Sequence, residues 1–433
     1  MKRRGRSGGG RQLEVTVETL GAQGDGQVRL PEGPLFLPQV LPGERVVAKV
    51  GAGGGEGLRG ELIELLQASP DRVEAPCPHF GPCGGCTLQH FAPEPYRRWK
   101  RGLLVEALSR RGFADAEAIV APLVALPPGT RRRATLAARR LGKQVALGFH
   151  GRGSHRIEDI RTCLILHPAL FAALQPLREV LVAVLPEGKE QSLAMTLTEG
   201  GIDLLLSLPA EPDLRGREAL AAFAAATNLG RLSIAVAGEA AQTLLERRPA
   251  RVTLGDVPVS LPPGAFLQAT QEGEAALVEA VLAAIPPESE TVADLFSGVG
   301  TFTFPLARRG HRVHAVEGDA NAVAAAEAAA RSSGLFGRVT AERRDLERRP
   351  VLAEELEGGD AALFDPPRAG AKAQSAELAG SDLPVVVAVS CNPATFARDA
   401  RTLVDGGYRL ESALPIDQFP WTGHLELVAR FSR

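Results

Sequence analysis

Asp294-Leu295-Phe296-Ser297-Gly298-Val299-Gly300-Thr301-Phe302 is the stretch that decides the fold. An apolar β-run, Thr291–Phe296, empties into a loop with two glycines, and a helical pattern takes over at once. Glycine lets a backbone turn sharply and come close to a ligand. Outward from the loop the chain alternates helix and strand. Helix Glu274–Ile285 precedes it. Strand Arg312–Glu317, the alanine-rich helix Ala320–Arg331 and strands Arg338–Ala341, Ala361–Phe364 and Val385–Ser390 follow. The runs Tyr408–Leu414 and Leu425–Phe431 close the chain as a hairpin. This rhythm predicts a doubly wound, Rossmann-like α/β domain.

The chemistry of the loop narrows its ligand. A dinucleotide fingerprint wants a third glycine at position 303, where this chain has Thr303. Glu317 ends the next predicted strand, which places a carboxylate where ribose hydroxyls donate, and Asp345 follows the strand after that. The pocket therefore suits an adenosine without a pyrophosphate. S-adenosylmethionine is the preferred reading; an NAD site and an ordinary tight βα turn are the alternatives.

Two later strand ends carry reactive groups. Val385-Val386-Val387-Ala388-Val389-Ser390 is a β-branched run that ends on Cys391, with the turn signal Asn392-Pro393 behind it. The run Ala361–Phe364 ends on Asp365-Pro366-Pro367-Arg368. In amino-methylating enzymes an Asp/Asn-Pro-Pro-aromatic motif holds an exocyclic amine; here Arg368 takes the aromatic's place, and a structural Pro-Pro turn is the bland alternative. A thiolate can add to C6 of a pyrimidine, which makes C5 nucleophilic enough to take a methyl group from a sulfonium. A base must then remove the C5 proton so that the thiolate leaves. Gly423-His424-Leu425-Glu426 offers a histidine and a carboxylate for that task. For Cys391 the alternative is a buried, inert cysteine.

A chain of 433 residues, 45% apolar, supports about two to four domains with real cores. No run approaches the ~18 apolar residues of a membrane helix. The basic start, Met1-Lys2-Arg3-Arg4-Gly5-Arg6, has no apolar segment behind it and does not read as a secretory signal. A cytoplasmic monomer with no membrane partner is expected. The net charge of −2 is uneven: 16 Lys/Arg against 24 Asp/Glu from Ala265 onward, 33 against 27 before it. The N-terminal part is thus expected to face a polyanion, with Arg97–Arg101 and Arg131-Arg132-Arg133 as candidate contacts.

Five cysteines without a signal peptide argue against a disulfide scaffold. Cys77-x5-Cys83-x2-Cys86 and the distant Cys163 supply four thiolates. The spacing is not the CxxxCxxC of radical enzymes, and a zinc ribbon would want two CxxC pairs. An iron–sulfur cluster is preferred, zinc is the runner-up, and a fortuitous group is the third reading. His79, His90 and His155 lie near this region and are assigned nothing. Before the cysteines, short alternating runs with glycine and proline turns read as a small β-barrel. A helix is expected from Tyr96 to Arg111, and mostly strands between Ala121 and Gly264.

Taken together, these motifs resemble the bacterial RNA uridine-5-methyltransferase family over almost the whole chain. The resemblance implies a Rossmann-like S-adenosylmethionine methyltransferase domain formed by residues 93–121 and 265–433. It implies an OB-like TRAM barrel at 13–68 behind a disordered basic tail at 1–12, and a central β-rich iron–sulfur domain at 75–92 and 122–264. Residue by residue, Cys391 resembles the nucleophile and Glu426 the base that removes the C5 proton. Gln268, Phe296, Thr301, Glu317, Asp345 and Asp365 match cofactor contacts, Asp365 standing beside the nucleophile, and Phe266 is a candidate for stacking on a base. Cys77, Cys83, Cys86 and Cys163 match ligands of a 4Fe–4S cluster. Thr301 stands where relatives often carry Asn, and Asp345 where some do.

The barrel and cluster together look most like the enzyme acting on large-subunit ribosomal RNA, since the transfer-RNA branch typically lacks both. The implied reaction is methylation of C5 of a specific uridine, most fittingly in 23S rRNA, through a covalent Cys–C6 adduct. A tRNA T-loop uridine-5-methyltransferase is the nearest alternative. An amino-methylating nucleic-acid methyltransferase using Asp365-Pro366-Pro367 and a non-enzymatic RNA-binding or assembly protein are the others.

Overall fold

The computed structural model describes residues 11–51, 57–237 and 239–433, which form two compact units. The first takes in the chain up to Lys100 with the short segments Gly151–Ser154 and Trp421–His424; the second holds the rest. Among the described residues no helix is long and apolar enough to cross a membrane.

In the first unit, strands Arg11–Thr16, Arg45–Val50, Leu58–Gln67, Gly33–Leu37, Gly26–Leu30 and Thr19–Leu20 line up in that order in one six-stranded sheet. Their alternation buries Val17, Val28, Leu35, Leu37, Val46 and Ala48 together. Most of the expected basic tail, residues 1–10, lies outside the described residues. Arg11 and Gln12, assigned to that tail from sequence, instead open the first strand, paired with Val50 and Lys49. Glu44, just before strand Arg45–Val50, is fully buried, and Arg72 meets it with Nε at 2.5 Å and Nη2 at 2.8 Å. A buried carboxylate needs such a partner to stay charged.

The second unit holds two large sheets. One has seven strands, ordered Ile157–Asp159, Gln144–His150, Arg133–Leu141, Glu190–Thr198, Gly201–Leu208, Leu229–Val236, Gln242–Glu246. Two helices, Leu174–Val184 and Leu214–Ala226, lie among these strands, in the stretch where mostly strands are expected. The second of these crosses between the parallel strands Gly201–Leu208 and Leu229–Val236, a connection that parallel pairing requires.

The other sheet is the doubly wound one. Its order is Val339–Arg343, Arg312–Glu317, Thr291–Leu295, Ala361–Phe364, Val385–Ser390, Glu426–Ser432, Arg409–Asp417, Val124–Ala125. The first five strands run parallel; Glu426–Ser432 enters antiparallel. Every residue of Val385–Ser390 is buried, as a continuous β-branched run demands of a strand covered on both faces. Val386 and Ala388 face one core with Leu104, Phe396 and Leu403; Val385, Val387 and Val389 face the other with Leu277, Val281 and Phe304. The strand order reverses between Thr291–Leu295 and Ala361–Phe364. A crevice beyond the C-terminal ends of strands at such a point is where open α/β sheets take their ligands.

Candidate active site

The glycine loop, Asp365, Cys391 and Glu426 all lie at that end of the sheet. The glycine loop leaves strand Thr291–Leu295 through Phe296, whose φ of +64° lies in the left-handed region that bulky residues avoid. Its backbone N–H bonds to the Val316 carbonyl at 2.9 Å, and the ring packs on the core. Such strain persists where surrounding structure enforces it, commonly at functional sites. Nothing in the sequence signals it. Gly298 and Gly300 take φ of +56° and +102°. A Cβ at Gly298 would meet only open space, so that face of the loop is free for a ligand.

Glu317 at the end of the neighbouring strand accepts from the Gly298 N–H at 3.0 Å and from the Asp319 N–H at 2.7 Å. It braces the loop at the strand end where a ribose-binding carboxylate is expected. Thr303, in the place of the third fingerprint glycine, donates to Asp294 Oδ2 at 2.5 Å. Asp294 is fully buried with Oδ1 unpartnered, and burial pushes its pKa up to about 7. Asp345 is exposed, 3.5 Å from Arg348, and Thr301 is half-buried in the loop. The open loop and the braced carboxylate fit an adenosine-bearing cofactor.

Across the crevice, the Asp365 N–H continues the ladder to the Leu295 carbonyl at 3.1 Å, fixing the Pro-Pro turn. Cys391 follows strand Val385–Ser390. Asn392 caps the next helix, Pro393–Asp405, by accepting from Ala394, and its Nδ2 donates to the Arg368 carbonyl at 3.0 Å. One residue thus ties the thiol loop to the Pro-Pro turn and starts a helix, with Pro393 in the first turn where its missing N–H costs nothing. Ser390 pairs with Leu427, so Glu426 stands beside the thiol across the antiparallel junction.

The electrostatics of this cluster are coupled. Burial first, then the charges of Glu426 and Asp365, push the Cys391 thiol up to about 12, while Arg368 pulls it down. Arg368, which the sequence reading treated as the loss of an aromatic, is therefore the cation that favours a thiolate. Glu426 is pushed up to about 7 by burial, partly offset by a hydrogen bond from Gln418. Burial, then Glu426 and Asp294, raise Asp365 well above the usual carboxylate range. Carboxyl groups whose pKa is raised beside a nucleophile are suited to moving protons.

Gln268, on the segment before helix Gln271–Ala284, reaches Asp365 Oδ2 through Nε2 at 3.4 Å. Its oxygen accepts from Gln418 Nε2 at 2.8 Å. Gln418 is the site residue that sequence reasoning missed; a glutamine after an apolar run carries no signal of its own. Phe266 is exposed, with the Arg133 guanidinium 4.8 Å from its ring. Arg132, proposed from sequence as an RNA contact, is instead buried against Glu274 at 2.5 Å. In the basic turn before it, Arg97 and Arg98 are exposed while Lys100 and Arg101 are structural. Lys100 is fully buried with its Nζ 2.9 Å from the Tyr96 hydroxyl, and Arg101 donates to the Val120 and Ala121 carbonyls.

The cysteines expected to hold a cluster are half-buried: Cys77, Cys83 and Cys86 in the first unit, Cys163 in the second. Among the described residues no group of three or more His, Cys, Asp or Glu side chains is arranged to hold a metal ion.

Comparison with known proteins gives the family. Residues 258–432 match the tRNA (Uracil-5-)-methyltransferase family model. The chain is 46% identical over 417 residues to an uncharacterized RNA methyltransferase of Brucella melitensis, covering 96% of this chain and 97% of that one. It is 36% identical over 437 residues to the 23S rRNA (uracil(1939)-C(5))-methyltransferase RlmD of Chromohalobacter salexigens, covering 97% and 89%. Among solved structures, the fold is similar to that of the Pyrococcus abyssi tRNA (uracil-54, C5)-methyltransferase in complex with S-adenosyl-L-homocysteine. The TM-score is 0.75 at 23% identity, over 97% of this chain and 99% of that one. The chain belongs to the RNA uracil-5-methyltransferase family.

Proposed function

We propose that this enzyme methylates C5 of a specific uridine in 23S rRNA through a transient bond between Cys391 and C6 of the base. The observation that carries the reading is the meeting of Cys391, Glu426 and Asp365 at one end of the sheet, beside the open glycine loop. When bound at that loop, S-adenosylmethionine would supply an electrophilic methyl group; Glu317, Phe296, Thr301, Asp345 and Gln268 are the residues proposed to hold it. The remaining steps belong to the protein. Cys391 loses its proton to a neighbouring carboxylate as sulfur adds to C6, and the C5–C6 π electrons move onto C5. After C5 has taken the methyl group, Glu426 removes the C5 proton. The double bond re-forms and the thiolate departs. Arg368 favours the thiolate, and burial keeps Glu426 basic enough to accept a proton near neutrality.

The choice of ribosomal over transfer RNA is supported by the relative named for 23S rRNA and by the strand-rich N-terminal unit, proposed to be a TRAM-like RNA-binding barrel. The four thiols are proposed from the sequence alone to hold an iron–sulfur cluster, zinc being the second choice, and no catalytic step passes through them. The test is to map 5-methyluridine across total RNA from cells with and without the protein. Loss of one 23S site is expected. Loss confined to tRNA would move the substrate to the other branch, and unchanged 5-methyluridine would overturn the reading.

A further inference from the structure

Gln418 lies just past strand Arg409–Asp417 and is almost fully buried. Its amide has one allowed orientation. Oε1 accepts from the backbone N–H of Ala269 at 3.1 Å, and a backbone N–H can only donate. Nε2 therefore faces Gln268, whose Oε1 is 2.8 Å away. With its oxygen taken, Gln268 must turn its own Nε2 toward Asp365 Oδ2, at 3.4 Å. Amide ends are assigned from their partners, and here the assignment starts from a group that cannot flip. Gln418 also acts on Glu426, lowering its pKa against the larger effect of burial. Space for this amide is kept by Gly273 in the first turn of helix Gln271–Ala284: a Cβ there would stand 2.7 Å from Gln418 Oε1 and 2.9 Å from its Cβ.

The result is a donor, Gln268 Nε2, beside an acceptor, Asp365 Oδ2. A uracil edge offers the complement, the O4 acceptor next to the N3–H donor. A cytosine edge offers the reverse, an N4 amino donor next to the N3 acceptor. We infer that Gln418 is a positioning residue for base choice: by holding the Gln268 amide with its NH2 beside Asp365, it sets the pocket to take a uracil edge and refuse a cytosine edge. With Gln268 reversed, two acceptors would stand side by side and the match to uracil would be lost. Leaving buried polar groups mispaired is what makes hydrogen-bond readout selective. The inference rests on the uridine methylation proposed above.

The test compares covalent trapping of two RNAs that differ at one position. The probe is the mapped target transcript with 5-fluorouridine or 5-fluorocytidine at the methylated site; fluorine cannot leave as a proton does, so either base reports attack by Cys391. The wild-type enzyme is expected to trap the fluorouridine RNA in strong preference. Gln418→Met keeps volume and removes the clamp, and should lower the uridine-to-cytidine ratio of trapping rates by about tenfold while still trapping the uridine probe. Gly273→Ala, which pushes on Gln418 from outside the pocket and suits a helix, should move the ratio in the same direction. It also serves as the test if the first variant does not fold. An unchanged ratio in a folded variant, including an equal fall in both rates, overturns the inference. A wild-type enzyme that traps neither probe overturns the proposed reaction instead.

Discussion

Cys391 and Glu426 stand at adjoining strand ends, one step beyond the paired Ser390 and Leu427. After burial, the Glu426 charge is the largest influence holding the thiol's pKa up. The group proposed as the base of the last step therefore also restrains the first. Glu426→Gln should shift the Cys391 thiol downward from about 12, which the pH profile of alkylation by iodoacetamide measures. An unmoved profile would mean that burial alone sets the thiol.

The same variant separates attack from release. With Gln at 426 the thiol should still add and C5 should still be methylated, but no base remains to take the proton. The methylated covalent adduct should accumulate on natural RNA, visible as a slower band in denaturing gels. Cys391→Ala should form no adduct on any RNA and should lose turnover. A Glu426→Gln enzyme that is inactive and adduct-free would assign Glu426 a positioning role only.

Glu426 also links activity to stability. It is buried and holds its proton up to about 7, against 4.5 for an ordinary glutamate. Below pH 4.5 both folded and unfolded chains are protonated, and burial carries no ionisation penalty. Between 4.5 and 7 the unfolded chain ionises first, so stability falls as pH rises; above 7 the loss levels off at roughly 3 kcal/mol. Glu426→Gln should therefore be no more stable than wild type at pH 4 and more stable at pH 8, by urea unfolding. A gap that does not grow with pH would refute the assignment.

The doubly wound sheet was legible because its signals are local: a glycine loop after a strand, a β-branched run ending on a thiol, alternating helical and extended periods. Cys391, Glu426, Asp365 and Glu317 could be named for the same reason, since each sits at a strand end. Gln418 could not, because its role depends on Ala269 and Gln268, 149 and 150 residues away along the chain. Arg132 and Lys100 were misread as surface charge because composition does not show burial, and both spend their charge inside the structure. The left-handed Phe296 was equally silent, as backbone strain has no residue code outside glycine and asparagine.

Glu317 is expected to act through the loop it braces. Glu317→Gln turns one carboxylate oxygen into an NH2 group that would face the N–H of Gly298 or Asp319, and a hydrogen bond becomes a clash of donors. KM for S-adenosylmethionine should rise about tenfold. The methyl-transfer rate at saturating cofactor should change less, because Cys391 lies across the crevice. Equal falls in both would place Glu317 in the chemical step, and no change in either would show that its bracing of the loop does not matter to the cofactor.

The cysteines provide the last prediction. Cys77, Cys83, Cys86 and Cys163 are half-buried thiols in a chain whose remaining cysteine is the proposed nucleophile, so their chemistry can be tested without touching the proposed catalytic pocket. Protein purified without oxygen should be brown, with about four irons and four sulfides per chain. Cys163→Ser is the informative change, since Cys163 is distant in sequence from the other three. It should lower iron content and thermal stability while leaving S-adenosylmethionine affinity near wild type, because the residues proposed to bind that cofactor lie in other segments of the chain. Colourless protein with one zinc per chain would select the second metal. Metal content unaffected by Cys163→Ser would remove that residue from the ligand set and return it to an ordinary half-buried thiol.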